Sequence, residues 1–168
     1  AYDANGGVGK LPSPVILQAG VMKTDIAAEK DVSLKRQNCV LIGFTTNADG
    51  AVAQGVVTSA GQINKDAHTV TLNNKTYNYY TFGEEYRFNA DHENPVLFYA
   101  LWAVDNNENG KPDYEDETYN VIYKDTQNVN LSDGYHLPLD GTAYLAQSKV
   151  TLSAAKLKGY AGVGNSVK

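Results

Sequence analysis

Val96-Leu97-Phe98-Tyr99-Ala100-Leu101-Trp102-Ala103-Val104 is a run in which both alternate sets of side chains are apolar or aromatic. A β-strand sends successive side chains to opposite faces. Branched and aromatic residues suit a pleated, packed surface. A strand with no polar face cannot lie at the protein surface, so this run is expected to be central, with Phe98, Ala100 and Trp102 in the main core.

Outward from this run, strand-like composition recurs at residues 15–22, 40–44, 51–58, 69–72, 76–82, 119–123, 127–131 and 144–152. Turn chemistry separates these runs. Asn47-Ala48-Asp49-Gly50 and Asn73-Asn74 stand between apolar segments, and Asn, Asp and Gly tolerate the positive φ that tight hairpins need. Within 76–82, alternation sends Tyr77 and Tyr79 to one face and Tyr80 and Phe82 to the other. Near the C-terminus, Tyr144, Ala146, Ser148, Val150 and Leu152 share a face opposite Gln147, Lys149 and Thr151, as in a half-exposed strand. Only residues 24–35 suggest a helix, through Ile26, Ala27, Lys30 and Leu34, with Asp25 as a cap. Short strands at regular spacing with at most one short helix predict an all-β, single-domain antiparallel β-sandwich or jelly roll. Its expected organisation is a flexible leader over 1–14, a β-domain over 15–158 and a Gly-rich tail over 159–168.

The central strand runs directly into Asp105-Asn106-Asn107-Glu108-Asn109-Gly110-Lys111-Pro112-Asp113-Tyr114-Glu115-Asp116. A hard cation such as calcium takes six to eight oxygens, and a short loop can supply them only if alternate side chains point inward and the backbone turns sharply. Asp105, Asn107, Asn109, Asp113 and Asp116 carry oxygens at loop positions one, three, five, nine and twelve. Gly110 occupies the turn at six, and Lys111 at seven can offer its carbonyl. The expected cofactor is therefore Ca2+. A strand, and not a helix, enters the loop, so the pattern resembles the calcium loops of dockerins and thrombospondin type-3 repeats. That resemblance covers these twelve residues and implies metal ligation at the matching positions. Three of the proposed ligands are carboxylates, which places the affinity toward roughly 10⁻⁴ to 10⁻³ M. Such a site fills outside cells.

Composition agrees with an extracellular or cell-surface protein from which any signal peptide has been removed. The chain has 168 residues, enough to bury a core without disulfides, and its single cysteine, Cys39, sits in an apolar run as a small hydrophobe. Net charge is −5 with scattered basic residues, which excludes the basic stripe of a nucleic-acid-binding surface. No apolar run reaches the length of about 18 residues that a membrane-spanning helix needs. Asn74 and Asn130 stand in glycosylation acceptor patterns.

Catalytic patterns fail on inspection, and no enzyme is expected. Gly6-Gly7-Val8-Gly9-Lys10 lacks the first glycine and the final hydroxyl of a phosphate loop. His68, His92 and His136 lack zinc-site spacing, and Glu84-Glu85 reads as surface charge. Two roles remain. The first is a structural subunit of an extracellular filament or adhesive layer, in which Val15, Ile16, Leu17 and Val21 add a strand to a neighbouring copy in a homopolymer. The second is a carbohydrate-binding module using Tyr77, Tyr79, Tyr80 and Tyr86 as stacking surfaces for surface glycans.

Overall fold

The computed structural model describes residues 1–18, 20–46, 55–88, 95–124 and 137–153. Its regular structure is all-β: among the described residues there are strands and three single 3-10 turns, and no α-helix. The chain divides into two compact units, Ala1–Glu115 and Asp116–Lys168.

The first unit is built on a seven-stranded sheet. Its members are β1 (Tyr2–Asp3), β5 (Cys39–Thr46), β6 (Val56–Val57), β7 (Ile63–Asn64), β8 (Thr69–Leu72), β9 (Lys75–Tyr80) and β11 (Phe98–Val104), in the order β1-β11-β5-β9-β8-β7, with β6 also on β11. Most pairings are antiparallel. The exceptions are two short parallel joins, β1 and β6 against β11, where a purely antiparallel sheet was expected. Two small ladders complete the unit: β2 (Val8–Lys10) with β4 (Ser33–Lys35), and β3 (Lys23–Asp25) with β10 (Glu85–Arg87).

The expected central strand is β11, and both of its faces are packed. Phe98, Ala100 and Trp102 join Phe44, Ile26 and Tyr86 in one cluster. Leu101 and Ala103 join Val57, Val70, Leu72 and Tyr79 in a second. Tyr77 and Tyr79 belong to the second cluster while Tyr80 and Phe82 pack on the first, as alternation requires.

A β-bulge sets the register of β5 on β11. Leu101 pairs with Gly43 and Trp102 with Leu41, so Ile42 is the extra residue. The bulge switches side-chain parity, which lets Cys39, Leu41 and Phe44 reach the same cluster. Only glycine fits at 43: a Cβ there would stand 2.4 Å from the Tyr80 carbonyl oxygen. The β8–β9 hairpin turns through Asn73 and Asn74 at φ 50° and 63°, as their residue types predict.

Several expectations do not hold. Residues 24–35 are not a helix; they run through β3, a 3-10 turn at Glu29–Asp31 and β4. Ile26, Val32 and Leu34 share parity and all pack on the first cluster, so a period of two accounts for this segment better than a helical one. Residues 15–22 contain no strand among those described, although their composition favours one. Leader residues within 1–14 are held: the Tyr2 ring lies 5.1 Å from Phe44 and 5.4 Å from Phe98, and the buried Asn5 donates its amide to the Ala100 carbonyl at 2.8 Å. The strand expected over 127–131, the turn 47–50 and the tail 159–168 lie outside the described residues.

In the second unit, β12 (Thr118–Asn120) pairs antiparallel with β13 (Ala143–Leu145), directly opposing Tyr119 and Tyr144. Here strand structure is shorter than the expected 119–123 and 144–152.

Candidate metal centre

The loop leaves β11 through Asp105, which is 4 % exposed. A buried carboxylate must find hydrogen-bond donors or positive charge. Asp105 has donors within the loop: Oδ1 accepts the Asn109 N–H at 3.0 Å and Oδ2 accepts the Gly110 N–H at 2.9 Å. Its own N–H donates to the Asn38 carbonyl at 2.9 Å, tying the loop base to the turn before β5. Glu108 at φ 54° and Gly110 at φ 83° let the backbone curl back over Asp105.

The remaining side chains follow the same curl. Asn107 Oδ1 accepts the Asn109 N–H at 3.4 Å, and Asn109 Oδ1 accepts the Lys111 N–H at 2.8 Å. Asp113 accepts the backbone N–H of Asn106 on Oδ1 at 2.8 Å and its amide on Oδ2 at 2.6 Å. A 3-10 turn at Asp113–Glu115 closes with the Glu115 N–H on the Pro112 carbonyl at 2.8 Å. Tyr114 in this turn packs against the second core cluster, and burial pushes its phenol up to about 12.

These residues meet a calcium ion's demand in donor type. They offer only oxygens, with one carboxylate buried at the base, and each carboxylate oxygen of Asp105 and Asp113 can accept beyond the hydrogen bond described. Asp116 is half-buried. The arrangement does not gather acidic groups: among the described residues, no three His, Cys, Asp or Glu side chains cluster as metal ligands. Amide and carbonyl oxygens must therefore carry much of any coordination. Composition alone gave no sign of Asn38 and Asn106, the residues that anchor Asp105 and Asp113.

The other expected site residues are scattered. Val15, Ile16 and Val21 are exposed, Ile16 almost completely, and Leu17 is half-buried. Tyr86 is 2 % and Tyr79 8 % exposed, so neither presents a ring face to a sugar; Tyr77 and Tyr80 are half-buried against the two clusters. Packing takes up Tyr79 and Tyr86 of the aromatic group expected to bind glycans and covers part of Tyr77 and Tyr80. His68 bonds Glu84 at 2.9 Å, while Glu85 bonds Lys23 at 2.7 Å and Arg87 at 2.8 Å, all as surface pairs. Cys39 is half-buried in the first cluster, and burial raises its thiol pKa. An open depression of about 500 Å³ has Ile63, Lys65 and Asp66 on one side and the loop residues Tyr114 and Glu115 on the other.

No helix among the described residues is long and apolar enough to cross a membrane. The chain matches no protein-family model, no curated protein and no solved structure.

Proposed function

We propose that this chain is an exported structural protein whose loop 105–116 takes up one calcium ion, and that copies of it join through residues 15–22 into an extracellular filament or adhesive layer. The observation that carries the metal assignment is the Asp105 carboxylate, nearly buried and already wrapped by the Asn109 and Gly110 amides. Two neutral donors offset part of the cost of burying that charge; a divalent cation would offset the rest. Asp105, Asn107, Asn109, the Lys111 carbonyl, Asp113 and Asp116 would hold it. Bound calcium supplies positive charge that fixes the loop at the end of the central strand. The modest number of carboxylates suits surroundings rich in calcium.

The assembly assignment is supported by exposure. Val15, Ile16, Val21 and Met22 lie 56, 95, 43 and 57 % exposed in a segment with strand-forming composition and no strand among its described residues. An extended apolar segment of this kind gains main-chain hydrogen bonds and buries its side chains by adding to the sheet edge of a neighbouring copy. A head-to-tail contact of that type propagates unless its rotation closes a ring.

Sedimentation velocity and electron microscopy in millimolar calcium and in chelator test the reading. The parent should polymerise with calcium, and an Ile16→Asp, Val21→Asp double variant should remain a folded monomer. Parent monomers in both conditions would overturn the assembly. Deleting residues 1–22 would be a poor test, because Tyr2 and Asn5 are part of the core.

A further inference from the structure

The second unit presents a pair of tyrosines unlike any other among the described residues. Tyr119 on β12 and Tyr144 on β13 are direct cross-strand partners, so both side chains rise from one face of this two-stranded ladder. Each phenol is tied to a carboxylate on its own stretch of chain. The Tyr119 hydroxyl donates to Glu117 Oε2 at 2.8 Å, and the Tyr144 hydroxyl donates to Asp140 Oδ2 at 2.8 Å. Both carboxylates precede their tyrosine, and the strands are antiparallel, so the two acceptors come from opposite ends of the ladder.

Tyr119 is 56 % exposed, in contrast to the core-bound Tyr79 and Tyr86. With Tyr119 exposed and Tyr144 half-buried on the same face, two anchored rings stand side by side with an acceptor group bonded to each. Asp140 is held in its charged form by the Thr142 N–H and by the Tyr144 hydroxyl, which lower its pKa. Each carboxylate oxygen can accept a further hydrogen bond beyond the phenol's.

We propose that this face binds a neutral polysaccharide, with pyranose C–H faces stacked on Tyr119 and Tyr144 and sugar hydroxyls donating to Glu117 and Asp140. A sugar chain matches both features: its rings have flat apolar faces, and its hydroxyls are donors that a carboxylate satisfies. The two carboxylates and the net charge of −5 disfavour an acidic glycan. The site is distinct from Tyr77, Tyr79, Tyr80 and Tyr86, and it does not depend on the calcium loop or on self-assembly.

Native affinity electrophoresis of the full chain tests this, with gels containing xylan, galactomannan or mixed-linkage β-glucan, and polygalacturonate as the acidic comparison. At least one neutral polysaccharide should retard the parent, and polygalacturonate should not. Tyr119→Ala should weaken binding about tenfold, the loss of one stacked ring, while Tyr119→Trp should retain it. Tyr119→Ala alters an exposed side chain, and an unchanged far-UV spectrum will show that the fold persists. Absence of retardation by all three neutral polysaccharides overturns the proposal, as does equal binding by the parent and Tyr119→Ala, or retardation by polygalacturonate alone.

Discussion

The Gly110 N–H donates to Asp105 Oδ2 at 2.9 Å, joining the first residue of the loop to the residue at its sharpest turn. With the neighbouring bond from Asn109 to Oδ1, this makes Asp105 the organiser of the loop even without a metal. Asp105→Ala leaves both amides without that acceptor, at a half-buried Asn109 and an exposed Gly110. We expect it to cost about 2–3 kcal/mol of stability in chelator, measured by urea unfolding. Asp105→Asn keeps one strong acceptor and should cost less. Equal stability of Asp105→Ala and the parent would contradict this role.

Close packing around two glycines gives a second expectation. A Cβ on Gly7 would stand 2.4 Å from Trp102 Cζ2, and one on Gly43 would stand 2.4 Å from the Tyr80 carbonyl oxygen. Gly7→Ala must displace the ring of the chain's single tryptophan, whose indole N–H donates to the Ala4 carbonyl at 3.1 Å. A loss of about 1–3 kcal/mol is expected, with a red shift in tryptophan emission. Gly43→Ala meets backbone and should cost at least as much, without moving the tryptophan band.

The Asn73-Asn74 turn gives a third. Both residues hold positive φ, which a β-branched side chain resists. Asn74→Val should destabilise by about 1–3 kcal/mol, whereas Asn74→Gly should be neutral or slightly stabilising, as read from thermal melting.

Alkaline pH supplies a fourth. Burial pushes the phenols of Tyr86 and Tyr114 up to about 12, above the value of about 10 expected for an unfolded chain. Because the folded pKa is the higher one, the stabilisation is fully present below pH about 10 and is lost as pH rises through about 12. Phenolate absorbance should therefore rise together with loss of β-structure in that window. A Tyr86→Phe, Tyr114→Phe double variant should move the alkaline transition upward; an unmoved transition would argue against burial as its cause.

How much of this was legible in the sequence depended on whether local pattern and packing agreed. Residues 96–104 are apolar on both faces, and Phe98–Val104 within them became a strand packed on both faces, because nothing local competes with that outcome. Asn73-Asn74 encoded its turn directly. Residues 24–35 misled because Ile26, Lys30 and Leu34 also satisfy a helical spacing, and only the shared parity of Ile26, Val32 and Leu34 reveals the strands. The bulge at Ile42-Gly43 had no local marker beyond the glycine itself. Residues 15–22 have strand composition, but strand formation requires a partner, which composition does not provide. At the candidate site, the oxygens of Asp105, Asn107, Asn109 and Asp113 serve as acceptors for the loop's own N–H groups, and the Asn38 and Asn106 anchors depend on the folded backbone.

Thermal melting of the full chain in millimolar calcium and in chelator tests the metal assignment most directly. An ion that binds only the folded state must stabilise it, and for a site of roughly 10⁻⁴ to 10⁻³ M in about 1 mM calcium the gain is about 0.4–1.4 kcal/mol, a shift of about 1–5 degrees in Tm. The parent should show this rise with calcium and not with the same concentration of magnesium, and a variant carrying Asp105→Asn and Asp113→Ala should lose it. A parent whose melting is indifferent to calcium, or a double variant that responds as the parent does, would contradict the assignment of loop 105–116 as a calcium site.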